Sequence, residues 1–250
     1  MTVSPDRIRI SSSPQALAQA AAEHIESVSA EAVAERGRFV VALAGGSTPK
    51  RLYELLARRN RCNWAGWLVM LGDERVVPSD HSESNTALVG ATLLDRVPIP
   101  SSQCILPRIA EGDDHRSVAE AYDARLRRLL ADSGGALDLA ILGLGSDGHT
   151  ASLFPGDRAC LGERKRLVCP ATAPPDTPIR RRITLTYPVL QQARTVIFLI
   201  TGESKRHVAA ELLAGSGRRS SYPAARFVPV LHAYWYLDAV AAAGLPALTS

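Results

Sequence analysis

Short, nearly uninterrupted apolar runs alternate with longer amphipathic stretches along most of this chain. Phe39 to Ala44 is apolar throughout, and Trp67 to Leu71 and Leu137 to Leu142 are close to it. Runs of that length, bounded by turn residues, read as strands covered on both faces. Arg182 to Thr186, Thr195 to Thr201 and Tyr234 to Leu237 are the further strands expected. The stretches between them read as helices. Ser13-Pro14 supplies an N-cap and an N1 proline, and Gly37 a stop. Pro49 opens a helix reaching about Arg59. A polar stretch from Asp73 to Ser84 leads into a helix ending near Leu94. Ser117 to Ala131 sets Leu126, Leu129 and Leu130 on one face, and Glu203 to Leu213 is stopped by Gly215. This order predicts an α/β fold: a mostly parallel sheet with helices on both faces. No linker rich in Pro, Gly or Ser divides residues 1–250, so one domain is expected. Residues 157–180, proline-rich and poorly periodic, are expected as a small irregular excursion.

Composition narrows the function classes. Of 250 residues, 46% are hydrophobic and 22% charged, the balance of a globular protein. No apolar run approaches the ~18–20 residues that span a bilayer, and Met1 to Ile10 carries no secretory signal. The expectation is a cytoplasmic protein with no membrane partner. A net charge of +4 is too mild to imply nucleic acid. The clusters Arg180-Arg181-Arg182 and Arg218-Arg219 lack interleaved aromatics and read as solvated faces. Among 29 basic residues only Lys50, Lys165 and Lys205 are lysine, a compact charge set among planar forks. Cys62, Cys104, Cys160 and Cys169 show no C-x-x-C spacing, so neither zinc nor a disulfide is expected, only buried small apolar side chains. His24, His81, His115, His207 and His232 have no partner at metal spacing.

In a parallel sheet, ligands bind beyond the carboxyl ends of the strands, which selects the loops after Ala44, Leu71 and Leu142. The first, Gly45-Gly46-Ser47-Thr48, turns tightly into a helix whose free N–H groups suit a phosphate; it is not a Walker loop. The second, Gly72-Asp73-Glu74-Arg75, offers acids for a sugar hydroxyl and an arginine for an anion. The third, Gly143 to Pro155, contains G-x-G-x-x-G after a strand. A dinucleotide reading fails there, because Pro155-Gly156 cuts the following helix short and Glu163 is not at a strand end. The glycines instead project Asp147 and His149 into a cleft, a pairing suited to a general base. A fourth element, Gly202-Glu203-Ser204-Lys205, puts a cation in the first turn of a helix, where an anionic ligand would offset its clash with the helix dipole. No G-x-S-x-G elbow exists.

These elements together resemble the 6-phosphogluconolactonase family, within the superfamily of sugar-phosphate isomerases and glucosamine-6-phosphate deaminases. The resemblance runs from Leu43 to Leu237. It rests on Ala44 to Pro49, Asp73-Glu74-Arg75, Asp147 to Gly156, Arg182-Ile183-Thr184-Leu185-Thr186 and Gly202 to Lys205. It implies a Rossmann-like fold of the deaminase/isomerase type and hydrolysis of 6-phospho-D-glucono-1,5-lactone in the oxidative pentose phosphate pathway. Deaminases carry an asparagine–glutamate–proline sequence where this chain has Leu153-Phe154-Pro155, and typically a tyrosine at Arg75; both departures favour the lactonase. The expected catalytic pair is His149 and Asp147. The expected substrate and phosphate contacts are Gly45, Gly46, Ser47, Thr48, Asp73, Arg75 and Lys205. Arg182 is either a further phosphate partner or, preferred here, a buried ion-pair member beside Asp73 or Glu74. No metal or cofactor is expected, and the chain is expected to be a monomer acting on a phosphorylated sugar lactone. The alternatives are an amino-sugar phosphate deaminase or isomerase, and a non-catalytic sugar-phosphate sensor.

Overall fold

The structure, a computed structural model, describes residues 3–132, 134–215, 217 and 219–246. Arg218 of the second arginine cluster and Met1-Thr2 of the amino-terminal segment lie outside them. The chain opens with strand β1 (Ile8–Ser11) and helix α1 (Pro14–Arg36). Ser13 Oγ accepts the Ala16 N–H at 3.1 Å, and Gly37, at φ 72°, closes the helix. Both signals were plain in the sequence. There follow β2 (Phe39–Leu43), α2 (Ser47–Arg59), β3 (Trp67–Leu71), β4 (Asp73–Arg75), α3 (Asn85–Thr92), β5 (Cys104–Ile105), α4 (His115–Asp132) and β6 (Leu139–Gly143). The rest comprises α5 (Arg158–Gly162), β7 (Val168–Thr172), β8 (Arg181–Leu185), α6 (Tyr187–Gln191), β9 (Thr195–Ile200), α7 (Arg206–Ala214), β10 (Ala233–Asp238) and α8 (Ala239–Ala242).

Among the described residues, seven strands form one sheet in the order β1-β10-β9-β6-β2-β3-β5, parallel at every pairing. Along β2, β3, β6, β9 and β10, alternate residues enter opposite clusters. Phe39, Val41 and Leu43 of β2 pack beneath α1 and α2, with Leu17, Ile25, Leu52 and Leu56. Val40 and Ala42 pack on the other face, with Tyr122 and Leu126 of α4 and Leu212 of α7. Helices therefore cover both faces, and the strands read as continuous apolar runs for that reason. The chain leaves β2 toward β3 and leaves β6 toward β9, in opposite directions along the sheet. The crevice between the carboxyl ends of β2 and β6 is thus the switch point where such sheets bind ligands.

Several expectations need correction. Helix α2 starts at Ser47 rather than Pro49, since a first-turn proline sacrifices no intrahelical bond. No helix begins directly after His149; a Thr150–Leu153 bridge closes a turn there instead. Lys205 ends a 3-10 turn (Glu203–Lys205) that precedes α7. Residues 157–180 are less irregular than expected. They hold α5 and β7, and β7 joins β8 and β4 in a second, antiparallel sheet in the order β4-β8-β7. That sheet contributes Cys169, Ala171, Ile183 and Leu185 to the same buried cluster as α4. Cys160 and Cys169 are joined by a disulfide, against the expectation of free thiols. Helix α5 and strand β7 bring their Cα atoms to 5.9 Å, a separation a disulfide spans, and the eight intervening positions carry no motif that announces it. Cys62 and Cys104 are free and half-buried, not fully buried. No helix among the described residues is long and apolar enough to cross a membrane.

Candidate active site

A cavity of about 370 Å³ lies over the carboxyl ends of β2, β3 and β6. Ala44, Gly45 and Gly46 line it from β2, and Gly72, Asp73 and Arg75 from beyond β3. Gly143 comes from the end of β6, Gly145, His149, Ser152 and Phe154 from beyond it, Arg182 from β8, and Lys205 from beyond β9. The four loops singled out in the sequence therefore converge. Of the expected contacts, Ser47 and Thr48 stand outside the lining. The Thr48 hydroxyl bonds that of Thr201 at 2.6 Å, tying the start of α2 to the end of β9. Ser47 and Thr48 still begin α2, so their N–H groups are among those a helix leaves without internal partners.

The loop after β6 holds an acid against a base. Asp147 Oδ1 lies 2.6 Å from His149 Nδ1 and also accepts the His149 backbone N–H at 3.1 Å. Burial pushes the Asp147 carboxyl up, but the hydrogen bond and charge of the imidazole and the His149 N–H outweigh it, and the carboxyl lies below its ordinary value. An ionised carboxylate only accepts, so Nδ1 carries a proton, and in the neutral ring Nε2 is the nitrogen that holds the lone pair. The Phe154 ring, 4.8 Å from the imidazole, walls its side. Gly145 lacks a Cβ because one would collide with the His149 ring and Asp147. Ala151, at φ 48°, is a rare left-handed non-glycine residue two positions beyond the imidazole.

Asp73 faces the cavity with its carboxylate already engaged. Its Oδ2 accepts from Ser152 Oγ at 2.7 Å, and Asn85 Nδ2 donates to its carbonyl at 2.9 Å. These bonds join the loops after β3 and β6. Asn85 also fills the space beside Gly45 that a Cβ there would need. Glu74 is buried and turned away from the cavity lining. Its oxygens accept the N–H groups of Arg75, Asn85 and Thr86 at 2.7–2.8 Å and the Ser84 hydroxyl at 3.2 Å. Burial pushes its carboxyl up while those donors oppose the shift. Glu74 thus caps α3 and anchors it to β4.

Three cations share the cavity. Arg75 Nη1 donates to the Glu83 carbonyl and lies 3.4 Å from its carboxylate. Arg182, 8% exposed, donates from Nε to the Ile179 carbonyl at 2.9 Å, and among the described residues no carboxylate lies within 4.0 Å of it. The expected ion pair with Asp73 or Glu74 is therefore absent. Both acids are held by other donors, which leaves the Arg182 guanidinium to the cavity. Burial lowers its affinity for the proton, and the neighbouring Arg75 charge adds to this. Burial likewise pushes the Lys205 ammonium below the ordinary lysine value, against the pull of Asp147. Cations held in part-buried positions at a cavity suit an anionic ligand group. Asn85, Ser152 and Phe154 were missed in the sequence. Asn85 lay at the start of an expected helix, just past the polar stretch from Asp73 to Ser84, and the other two were quoted in a motif without roles. Among the described residues, no cluster of three or more His, Cys, Asp or Glu forms a candidate metal site.

Comparison with known proteins places this geometry in context. Residues 12–235 match the model of the family described as glucosamine-6-phosphate isomerases/6-phosphogluconolactonase. A 6-phosphogluconolactonase of Synechocystis sp. is 40% identical over 212 residues, covering 83% of this chain and 85% of the relative. One from Homo sapiens is 40% identical over 247 residues, covering 95% and 93%. The solved structure of 6-phosphogluconolactonase from Trypanosoma cruzi superposes with a TM-score of 0.85 at 30% identity, covering 98% of each chain. On sequence and on fold alike, the chain belongs to the glucosamine-6-phosphate isomerase/6-phosphogluconolactonase family.

Proposed function

We propose that this chain is a 6-phosphogluconolactonase, hydrolysing 6-phospho-D-glucono-1,5-lactone to 6-phospho-D-gluconate in the oxidative pentose phosphate pathway. The observation that carries the reading is the His149–Asp147 pair opening on a cavity that also holds Lys205, Arg182 and Arg75. The relatives at 40% identity bear the same activity in their names.

In this reading Nε2 of His149 takes a proton from water as the water oxygen bonds to C1 of the lactone. The tetrahedral intermediate collapses by cleavage of the bond between C1 and the ring oxygen. The imidazolium returns its proton to that oxygen, which becomes the C5 hydroxyl, and the new carboxylic acid ionises. Asp147 keeps Nδ1 protonated and stabilises the imidazolium while it lasts. A lactone opens slowly in water unaided, so one positioned base, worth roughly 10²–10⁴-fold, together with an oriented substrate meets the need. Lys205, Arg182, Arg75 and the backbone of Gly46, Ser47 and Thr48 receive the phosphate, and binding energy at that remote dianion aligns C1 with the base. Asp73, fixed by Ser152 and Asn85, accepts from a sugar hydroxyl. We take the chain to act as a monomer, in keeping with its mild composition. We place the reaction in the cytoplasm, since a phosphorylated sugar does not cross a bilayer unaided.

Acid release from freshly prepared 6-phosphogluconolactone, followed in a pH-stat and corrected for spontaneous opening, tests the reading. Rapid enzyme-dependent acid release is expected, with no ammonia liberated from glucosamine 6-phosphate. Ammonia release without lactone hydrolysis would make the chain a deaminase, and binding of phosphorylated sugar without turnover would make it a sensor.

A further inference from the structure

The loop bearing Asp147 and His149 leans on a part of the chain outside every motif. Gly148, between the two, has φ 80°. A glycine there reaches either sign of φ at little cost, so the loop needs outside support to keep one conformation. A Cβ on Gly148 would fall 2.6 Å from Cβ of Tyr222 and closer still to its ring carbons. The Tyr222 side chain therefore occupies the space beside Gly148 Cα. Two residues on, the Ala224 N–H donates to the Gly148 carbonyl at 3.0 Å.

Both contacts come from the segment Tyr222 to Phe227, between α7 and β10, and that segment is well anchored. Pro223, Ala224 and Phe227 are buried in it. The Tyr187 hydroxyl donates to the Pro223 carbonyl at 2.8 Å, and the Phe227 ring packs 5.4 Å from Phe198 of β9. The Tyr222 hydroxyl donates to Glu211 of α7. Within the loop, the Gly145 N–H donates to the His149 carbonyl at 2.8 Å and the Gly148 N–H to the Gly145 carbonyl at 3.0 Å. Those bonds close the loop on itself; the Tyr222 ring and the Ala224 N–H fix it to the body of the protein.

We propose that Tyr222 is a positioning residue for the reaction: its ring, with the Ala224 N–H, holds the Gly148 peptide so that the imidazole of His149 stays paired with Asp147 and aimed into the cavity. The proposal rests on the reading of His149 as the general base. Tyr222 is not one of the residues lining the cavity, and in this reading it acts through the backbone between acid and base.

Steady-state kinetics and product binding in Tyr222→Ala, Tyr222→Leu and Tyr222→Phe test it, with the histidine side-chain ¹⁵N signals followed by NMR in parallel. Misplacing a catalytic group by about 1 Å costs on the order of 100-fold, so Tyr222→Ala is expected to lower kcat roughly ten- to a hundredfold. KM and the affinity for 6-phosphogluconate should stay near wild type, and the Nδ1–H signal of His149 should shift or broaden. Tyr222→Phe keeps the ring and should restore kcat. Tyr222→Leu keeps the core filled without the flat ring, so a loss of kcat at a near-normal melting temperature is expected even if the alanine variant does not fold. Wild-type kcat in the alanine or leucine variant, or an unmoved His149 signal, would overturn the proposal. An inactive wild-type protein would instead sink the lactonase reading, while the NMR comparison would still decide whether Tyr222 sets the pose of His149.

Discussion

Oδ1 of Asp147 and Nδ1 of His149 stand 2.6 Å apart on a loop where glycine follows the acid and precedes the base. The contact fixes which nitrogen of the ring is protonated. Asp147→Asn removes the charge that favours the imidazolium and leaves the tautomer unspecified. Turnover is expected to fall at least about tenfold, a share of the 10²–10⁴ a general base supplies, with KM little changed. Steady-state kinetics check this; an unaltered kcat would mean the imidazole needs no orienting partner.

Lys205 offers a test through pH. Its ammonium sits below the ordinary lysine value because burial disfavours the charged form, with Asp147 opposing. A phosphate dianion binds the protonated amine. As pH rises through the depressed value the proton is lost and affinity with it, so inhibition by 6-phosphogluconate should weaken at a pH below the ~10.4 of a free lysine. Lys205→Arg should remove that alkaline limb, because arginine stays protonated. Lys205→Ala should raise KM for the phosphorylated lactone while sparing hydrolysis of the unphosphorylated one. An unchanged ratio of the two would take Lys205 out of the phosphate site.

Glu74 belongs to the architecture beneath the site. Four donors converge on its carboxylate, among them the first N–H groups of α3. Glu74→Ala leaves them unpaired in a buried place, at roughly 1–3 kcal/mol for each group that water cannot reach. A loss of about 3 kcal/mol would lower the melting temperature of a chain this size by roughly 6–12 °C. A thermal melt within a degree or two of wild type would show that α3 does not depend on this cap.

The parts of the fold that could be read in advance are those where burial imposes a pattern. Strands β2, β3, β6 and β9 are covered on both faces and appear as apolar runs, and the loops that follow them are where such sheets bind ligands. Helix α1 carried its cap and its stop in Ser13 and Gly37. Strand β1 at the sheet edge alternates, with Arg9 and Ile10 exposed, and β5 is only two residues long, so neither leaves a run. Strand β7 contains Pro170, which argues against a strand, yet among the described residues β7 is the edge of the second sheet and pairs only with β8. Asp73-Glu74-Arg75 looked like a loop, because a short antiparallel strand with a buried acid has no hydrophobic signature. Arg182 could be weighed but not placed. Its release into the cavity depends on Asp73 being held by Ser152, from a loop 79 positions away. The Tyr222 contact with Gly148 is of the same kind: each residue alone is unremarkable in sequence, and only the packing joins them.

His149→Asn tests the central claim most directly, by setting kcat on 6-phosphogluconolactone against the dissociation constant of 6-phosphogluconate measured by calorimetry. Asparagine keeps polarity and approximate reach but cannot take a proton. The account predicts turnover reduced by about a hundredfold or more with product affinity close to wild type. Weakened binding with kcat largely preserved would contradict it, and would make the imidazole a ligand contact rather than the base.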